Sequence, residues 1–220
     1  MLKKQCTLTS HSSFTRLCAA RFPRLVKAAT VLLALSVLGS AQSVLAADAK
    51  GRFNVKGAGL ATCERFLNGY KKADKEFYLF AGYVHGYLSA ANALSASTYD
   101  LLPWQSDGAL MGAVAGACKI NPKERFGNVL IQLVRSLGRQ RLTEYSDAVE
   151  VSKTPPQRLY REIIFRMQTQ LKAYGHYDAE PTSLFDDKTE TALRAFQAAN
   201  ALEQSGKPDQ RTLIALFKPK

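Results

Sequence analysis

The stretch TALRAFQAANALEQSGKPDQRTL, Thr191–Leu213, reads as two helices either side of a sharp break. Ala192, Leu193 and Phe196 recur at helical spacing and mark one apolar face. Gly206 and Pro208 interrupt that pattern. Asp209 then stands where a side chain caps a new helix, and Leu213 and Leu216 give the new helix an apolar side. What remains open at this point is whether the pair only folds or also holds a ligand.

Upstream, Thr154-Pro155-Pro156-Gln157 has the order of a helix start. Thr154 is the cap, proline takes the first helical position, and Gln157 completes a capping box. The spacing of Leu159, Ile163, Met167 and Leu171 predicts a helix that stops at Gly175. An irregular piece, HYDAEPTSLFDD, leads to a helix from about Asp187 to Asn200, and Leu202 packs the following turn. Residues 154–220 therefore read as a small three-helix domain. Arg139 to Lys153 is charged and poorly periodic, and reads as a linker.

Residues 48–138 predict a helical domain of their own. Thr62 caps a short helix carrying Cys63, Phe66, Leu67 and Tyr70. A longer helix follows from roughly Asp74 to Leu94, with Phe77, Phe80, Ala81, Val84, Leu88 and Ala91 on one face and Tyr83 and Tyr87 beside it. STYDLLPWQSDG breaks the pattern as a loop, and a third helix runs through Leu110, Met111 and Val114 to Cys118. Asn121, Pro122 and Glu124 then predict a capped helix with Phe126, Val129, Leu130, Leu133, Val134 and Leu137 inward, closed by Gly138 in a left-handed conformation. Strand signals are weak throughout, so the fold class is all-α: a disulfide-bridged helical bundle, then a small three-helix domain.

The chain has 220 residues, 46% of them hydrophobic, and a formal net charge of +12. Its first 47 residues read as an export leader. Lys3, Lys4, Arg16, Arg21, Arg24 and Lys27 precede an uncharged run from Ala28 to Leu38, which is short for a membrane span. Cleavage is expected after Ala46, with Val44 at −3, or after Ala47; an uncleaved anchor is the other reading of the same run. Losing those six basic residues and no acid lowers the net charge from +12 to +6. That excess suits an anionic wall or membrane surface, or is ordinary solubilising charge. Cys6 and Cys18 lie in the leader. Cys63 and Cys118 remain in an oxidising compartment and read as one bridge, with a cysteine nucleophile as the alternative.

Catalysis has no visible constellation. There is no HExxH, no paired Cys-His zinc spacing, no phosphate loop and no GxSxG. His85 has no carboxylate three or four residues away and reads as a hydrogen-bonded residue near the core. Glu124 is accounted for by its capping box. Asp186 and Asp187 are adjacent and point apart, and one is needed as a cap. No enzyme, cofactor or metal is expected. Export and the lack of an RNP, zinc-finger or basic-stripe pattern argue against nucleic acid.

Two resemblances add to this reading. From Gln168 the chain runs Leu171, Gly175, Tyr177, Phe185, Thr189, Ala192, Phe196, Gln197, Gly206, Asp209, Thr212, Leu213 and Leu216. In that order and spacing it resembles the peptidoglycan-binding domain often appended to cell-wall hydrolases, a compact three-helix module. The resemblance implies a module that binds peptidoglycan, with exposed groups near the start of its second helix as contacts: Tyr177, Asp187, Thr189, Arg194 and Gln197. The loop Pro181–Asp186 departs from the Asp-Gly and Phe-Gly pattern usual there. The earlier region is similar to the exported helical domain of type VI secretion immunity proteins and of the acid-stress chaperone (HdeA-like) group. The features that carry this are GYVHGYL at 82–88, Tyr99-Asp100, and Cys118 followed by Asn121-Pro122. This second resemblance implies a protein-binding domain with Tyr83, Tyr87 and Trp104 as contacts, or simply a tyrosine-rich core.

The expectation is a non-enzymatic periplasmic protein with no membrane span once the leader is removed. It would bind peptidoglycan and present its helical domain to an envelope protein or an incoming toxin. The alternatives are an immunity or chaperone-like protein acting mainly on a protein partner, and a wall hydrolase with an unrecognised catalytic domain.

Overall fold

The structure, a computed structural model, describes residue 48 and residues 50–218; the leader expected over 1–47 lies outside them. The described residues are mostly helical, and a single two-stranded sheet accompanies the helices. They belong to one compact unit that holds two hydrophobic cores.

The first core is built by α1 (Cys63–Lys72), α2 (Lys75–Leu94), α3 (Asp107–Ile120) and α4 (Phe126–Leu137). Side-chain oxygens start three of these helices. Thr62 accepts from Arg65 N, Asp74 from Glu76 N and Phe77 N, and Ser106 from Ala109 N. Each such cap satisfies donors that no helical carbonyl reaches. Phe66, Phe80 and Phe126 meet at ring distances of 4.7–5.4 Å around the buried Cys63–Cys118 disulfide. Burying each ring stabilises by up to about 3 kcal/mol.

The start of α4 differs from expectation. Asn121 ends α3, and α4 begins at Phe126 with no side-chain cap. The intervening segment instead pairs with the start of α1. Cys63 N donates to Glu124 O, Glu64 N to Pro122 O, and Phe126 N to Ala61 O, at 2.8–2.9 Å. The Glu124 carboxylate accepts from Arg125 N and Asn128 Nδ2 and makes no capping box. Gly138 is right-handed (φ −66°) and passes directly into a short 3-10 turn, so it needs no left-handed cap.

The segment read as a linker and helix start is a β-hairpin. β1 (Ala148–Lys153) pairs antiparallel with β2 (Pro156–Tyr160), Val149 opposite Leu159 and Lys153 opposite Pro156. Thr154 and Pro155, joined by a cis peptide bond, lie between the two strands. Thr154 therefore caps no helix, and the Gln157 side chain donates to Pro208 O instead of completing a capping box. The fold is mostly helical, not all-α. Leu142, Val151 and Leu159 are buried in the second core, so residues from the expected linker are packed structure.

That second core is completed by α5 (Arg161–Ala173), α6 (Asp187–Ala199) and α7 (Gln210–Phe217). Gly175 adopts φ +78° and turns the chain out of α5. Asp186 caps α6 through Thr189 N, and Asp209 caps α7 through Thr212 N. A buried glutamine serves each of these junctions. Gln168 Nε2 donates to Thr189 Oγ1 and Leu184 O, both at 2.8 Å, while its Oε1 accepts from Thr182 N and Ser183 N. Gln197 repeats the device with Thr212 Oγ1, Lys207 O and Gly206 N. Backbone groups of irregular loops are thereby satisfied from inside the core.

The cores are tied together by side chains. Trp104 Nε1 donates to Gln140 Oε1 (3.0 Å), and Gln140 Nε2 donates to Phe217 O (2.9 Å). Ser106 N donates to Gln210 Oε1, and Leu142 N to Asp100 O. Tyr160 donates its hydroxyl to Asp100 Oδ2 at 3.2 Å. Burial, followed by the charge of Asp100, pushes the Tyr160 phenol up to about 12.

Candidate functional site

Two features of the C-terminal helices converge on a groove. Gly175 turns the chain sharply after α5, and His176, Tyr177 and Asp178 follow it. Asp186 fixes the start of α6, which projects Asp187, Lys188 and Thr191 toward the same space. The groove has a volume of about 450 Å³. Tyr177 is buried (4% exposed), and the edge of His176 packs on Phe196 with ring centroids 5.9 Å apart. Neither Asp178 nor Asp187 makes an ion pair among the described residues. Two carboxylates, an ammonium and an imidazole are thus available on a firm base, while the Thr191 hydroxyl donates to Asp187 O. Asp186 itself is committed to structure. Hydrogen bonds from the Thr189 hydroxyl and then the Thr189 amide hold its carboxyl below the usual aspartate range.

Of the five contacts expected from the sequence, Asp187 and Tyr177 line this groove, Tyr177 as a buried ring and not an exposed one. Thr189 and Gln197 are fully buried, at 0% exposure. Both were expected to be exposed, but the helix turns them inward, where their polar atoms satisfy the loops. Arg194 is partly exposed, yet its guanidinium is paired with Glu190 and donates to Ser205 O (2.7 Å) and Gln204 O, clamping the turn at Gly206. His176, Asp178, Lys188 and Thr191 were missed. Their signal was adjacency, since each lies within four residues of Tyr177 or Asp187.

In the first half, Tyr83 and Tyr87 lie one helical turn apart and are partly buried against the core. Burial raises both phenols above their ordinary value. Gly59 sits so close to Tyr83 that an added Cβ would collide with its hydroxyl. Tyr87 lines an apolar groove of about 620 Å³ with Phe53, Leu94, Ile131 and Arg135. Trp104 lines a different cleft, so the three aromatic residues do not form one patch. His85 is exposed and not near the core; its Nε2 lies 3.4 Å from Asp107 Oδ1, on α3. That carboxylate comes from a different helix, which is why no local spacing revealed it. No described helix is long and apolar enough to cross a membrane.

Comparison with known families gives one match. Residues 161–216 fit the family model described as "Putative peptidoglycan binding domain". The matched span covers α5, α6 and all but the last residue of α7, together with the charged groove between α5 and α6. No curated protein and no solved structure matches the chain.

Proposed function

We propose that this is a periplasmic, non-catalytic protein that attaches to peptidoglycan through the α5–α6 groove and presents its disulfide-bridged helical half to a protein partner. The observation that carries the reading is the coincidence of the family match with a polar groove on a rigid three-helix support. Stem peptides of peptidoglycan carry free carboxylates and free amines. Lys188 and His176 suit the former, Asp178 and Asp187 the latter. The periplasmic assignment draws on the leader-like first 47 residues and on the disulfide, which persists in oxidising compartments. The partner surface is the apolar groove beside Tyr87, where Arg135 makes no ion pair among the described residues. An envelope protein or a toxin with an acidic apolar segment fits it.

The test is titration of the folded protein with a soluble disaccharide–peptide fragment, followed by amide NMR. The amides of His176, Asp178, Asp187, Lys188 and Thr191 shift together, and Lys188→Ala weakens binding about fivefold, the worth of roughly one exposed charge-assisted contact. Shifts confined to other surfaces would remove the groove from the account. Clearing of peptidoglycan in a zymogram would overturn the non-catalytic reading.

A further inference from the structure

A second cleft, of about 250 Å³, lies where the two halves of the molecule meet. Its walls are aromatic: Trp104 from the loop before α3, Phe165 from α5 and Phe217 from the end of α7. Phe165 is 41% exposed although it is a large apolar residue. Trp104 is held in place by Gln140, which is itself held by the Phe217 carbonyl, and the Trp104 and Phe217 rings lie 5.3 Å apart. The polar groups of the cleft differ in kind from those of the α5–α6 groove. Glu162 and Arg166 neutralise one another at 2.9 Å, and Arg166 also donates to Gln140 O. The Gln170 side chain makes no hydrogen bond among the described residues. The cleft therefore offers fixed aromatic walls, a free amide and no uncompensated charge.

We propose that this cleft binds one N-acetylated hexosamine ring of a glycan strand. The inference rests on the peptidoglycan reading and deepens it: the charged groove takes the stem peptide and the aromatic cleft takes the sugar. The C–H faces of a pyranose ring are apolar and weakly positive, which matches the negative face of an aromatic ring. The hydroxyl and acetamido rim requires donors and acceptors without a free net charge, which the Gln170 amide and the outer oxygen of the Arg166-paired Glu162 carboxylate provide. An ionised peptide would find no free counter-charge here. The volume falls below the roughly 300 Å³ at which sites for drug-sized ligands begin, so it suits one ring of a longer strand left in solvent. Trp104 and Gln140 come from the first half, outside the matched span 161–216, so the cleft needs the first half packed on the second.

Trp104 is the only tryptophan in the chain, so its fluorescence reports on this cleft directly. The experiment titrates the folded protein with the tetramer of N-acetylglucosamine, a peptide-free probe. The expected result is a saturable change in Trp104 emission. Gln170→Ala, which removes no side-chain hydrogen bond among the described residues, raises the half-saturation point about fivefold and leaves thermal unfolding unchanged. Trp emission unmoved by millimolar tetramer, in protein that still sediments with peptidoglycan, overturns the sugar cleft alone. If sedimentation fails as well, the peptidoglycan reading falls with it. A change in emission that Gln170→Ala leaves unaffected places the sugar elsewhere and also overturns the assignment.

Discussion

Gln197 separates a folding role from a binding role. Its side chain is fully buried and makes three short hydrogen bonds: to Lys207 O (2.9 Å), to Thr212 Oγ1 (2.9 Å) and from Gly206 N (2.8 Å). In Gln197→Leu the three bonds are lost at about 1 kcal/mol each, and the buried Gly206 amide is left without an acceptor, at a further cost of about 1 kcal/mol or more. Thr212 keeps its bond to Asp209, which limits the damage on that side. The expected destabilisation is about 3–5 kcal/mol, or a fall in melting temperature of roughly 10 °C for a unit of this size. Urea unfolding measures it as a lower midpoint with an unchanged slope. At a temperature where the variant remains folded, its affinity for a peptidoglycan fragment equals that of the parent. A stability change below 1 kcal/mol, or normal stability with lost binding, would refute the placement of Gln197 as an internal support.

Three further outcomes follow from the packing. Reducing Cys63–Cys118, or replacing both with alanine, opens a loop spanning 55 positions and costs about 4 kcal/mol in the chain-entropy model, read as a lower urea midpoint. Gly206→Ala destabilises by about 1–3 kcal/mol in the same assay, because φ is +71° and the new Cβ would meet Glu190 Cγ at 2.6 Å. Gly86→Ala, in the middle of α2 with nothing within 4 Å, stabilises by up to about 1 kcal/mol. Asp186 supplies the pH dependence. Its folded-state pKa is depressed, so its contribution is present above the unfolded value of about 3.9 and is lost as pH falls through the lower folded value. Melting temperatures measured from pH 6 to pH 2.5 should drop in that window, and Asp186→Asn should flatten the drop.

The helices whose first turns are served by local side chains were legible in the sequence. Thr62 and Asp209 act where their spacing to the following apolar residues put them. Local spacing misled where tertiary pairing supplied the partners. Asn121-Pro122-Lys123-Glu124 has the form of a helix start, but its carbonyls are taken by the amides of α1, and the helix waits until Phe126 can bury its ring. Thr154-Pro155-Pro156-Gln157 has the same form. There Val149, Val151 and Leu159 gain more from a hairpin over the second core than a helix would provide. Thr189 and Gln197 looked like exposed polar contacts because polarity alone does not tell a solvated side chain from one that satisfies a buried loop. The pairing of Trp104 with Phe217, 113 positions apart, left no trace in any local pattern.

The most direct measurement is co-sedimentation of the chain from Ala47 onward with purified peptidoglycan sacculi, beside its Asp187→Ala, Lys188→Ala double variant. Deleting the first half is a poor control, because Trp104, Asp100 and Leu142 pack into or onto the second half. Attachment through the α5–α6 groove predicts that the parent pellets with sacculi at moderate salt. The double variant, with an unchanged melting temperature, should remain largely in the supernatant. Parent and variant both left in solution at low and moderate salt, or both pelleting equally, would contradict it.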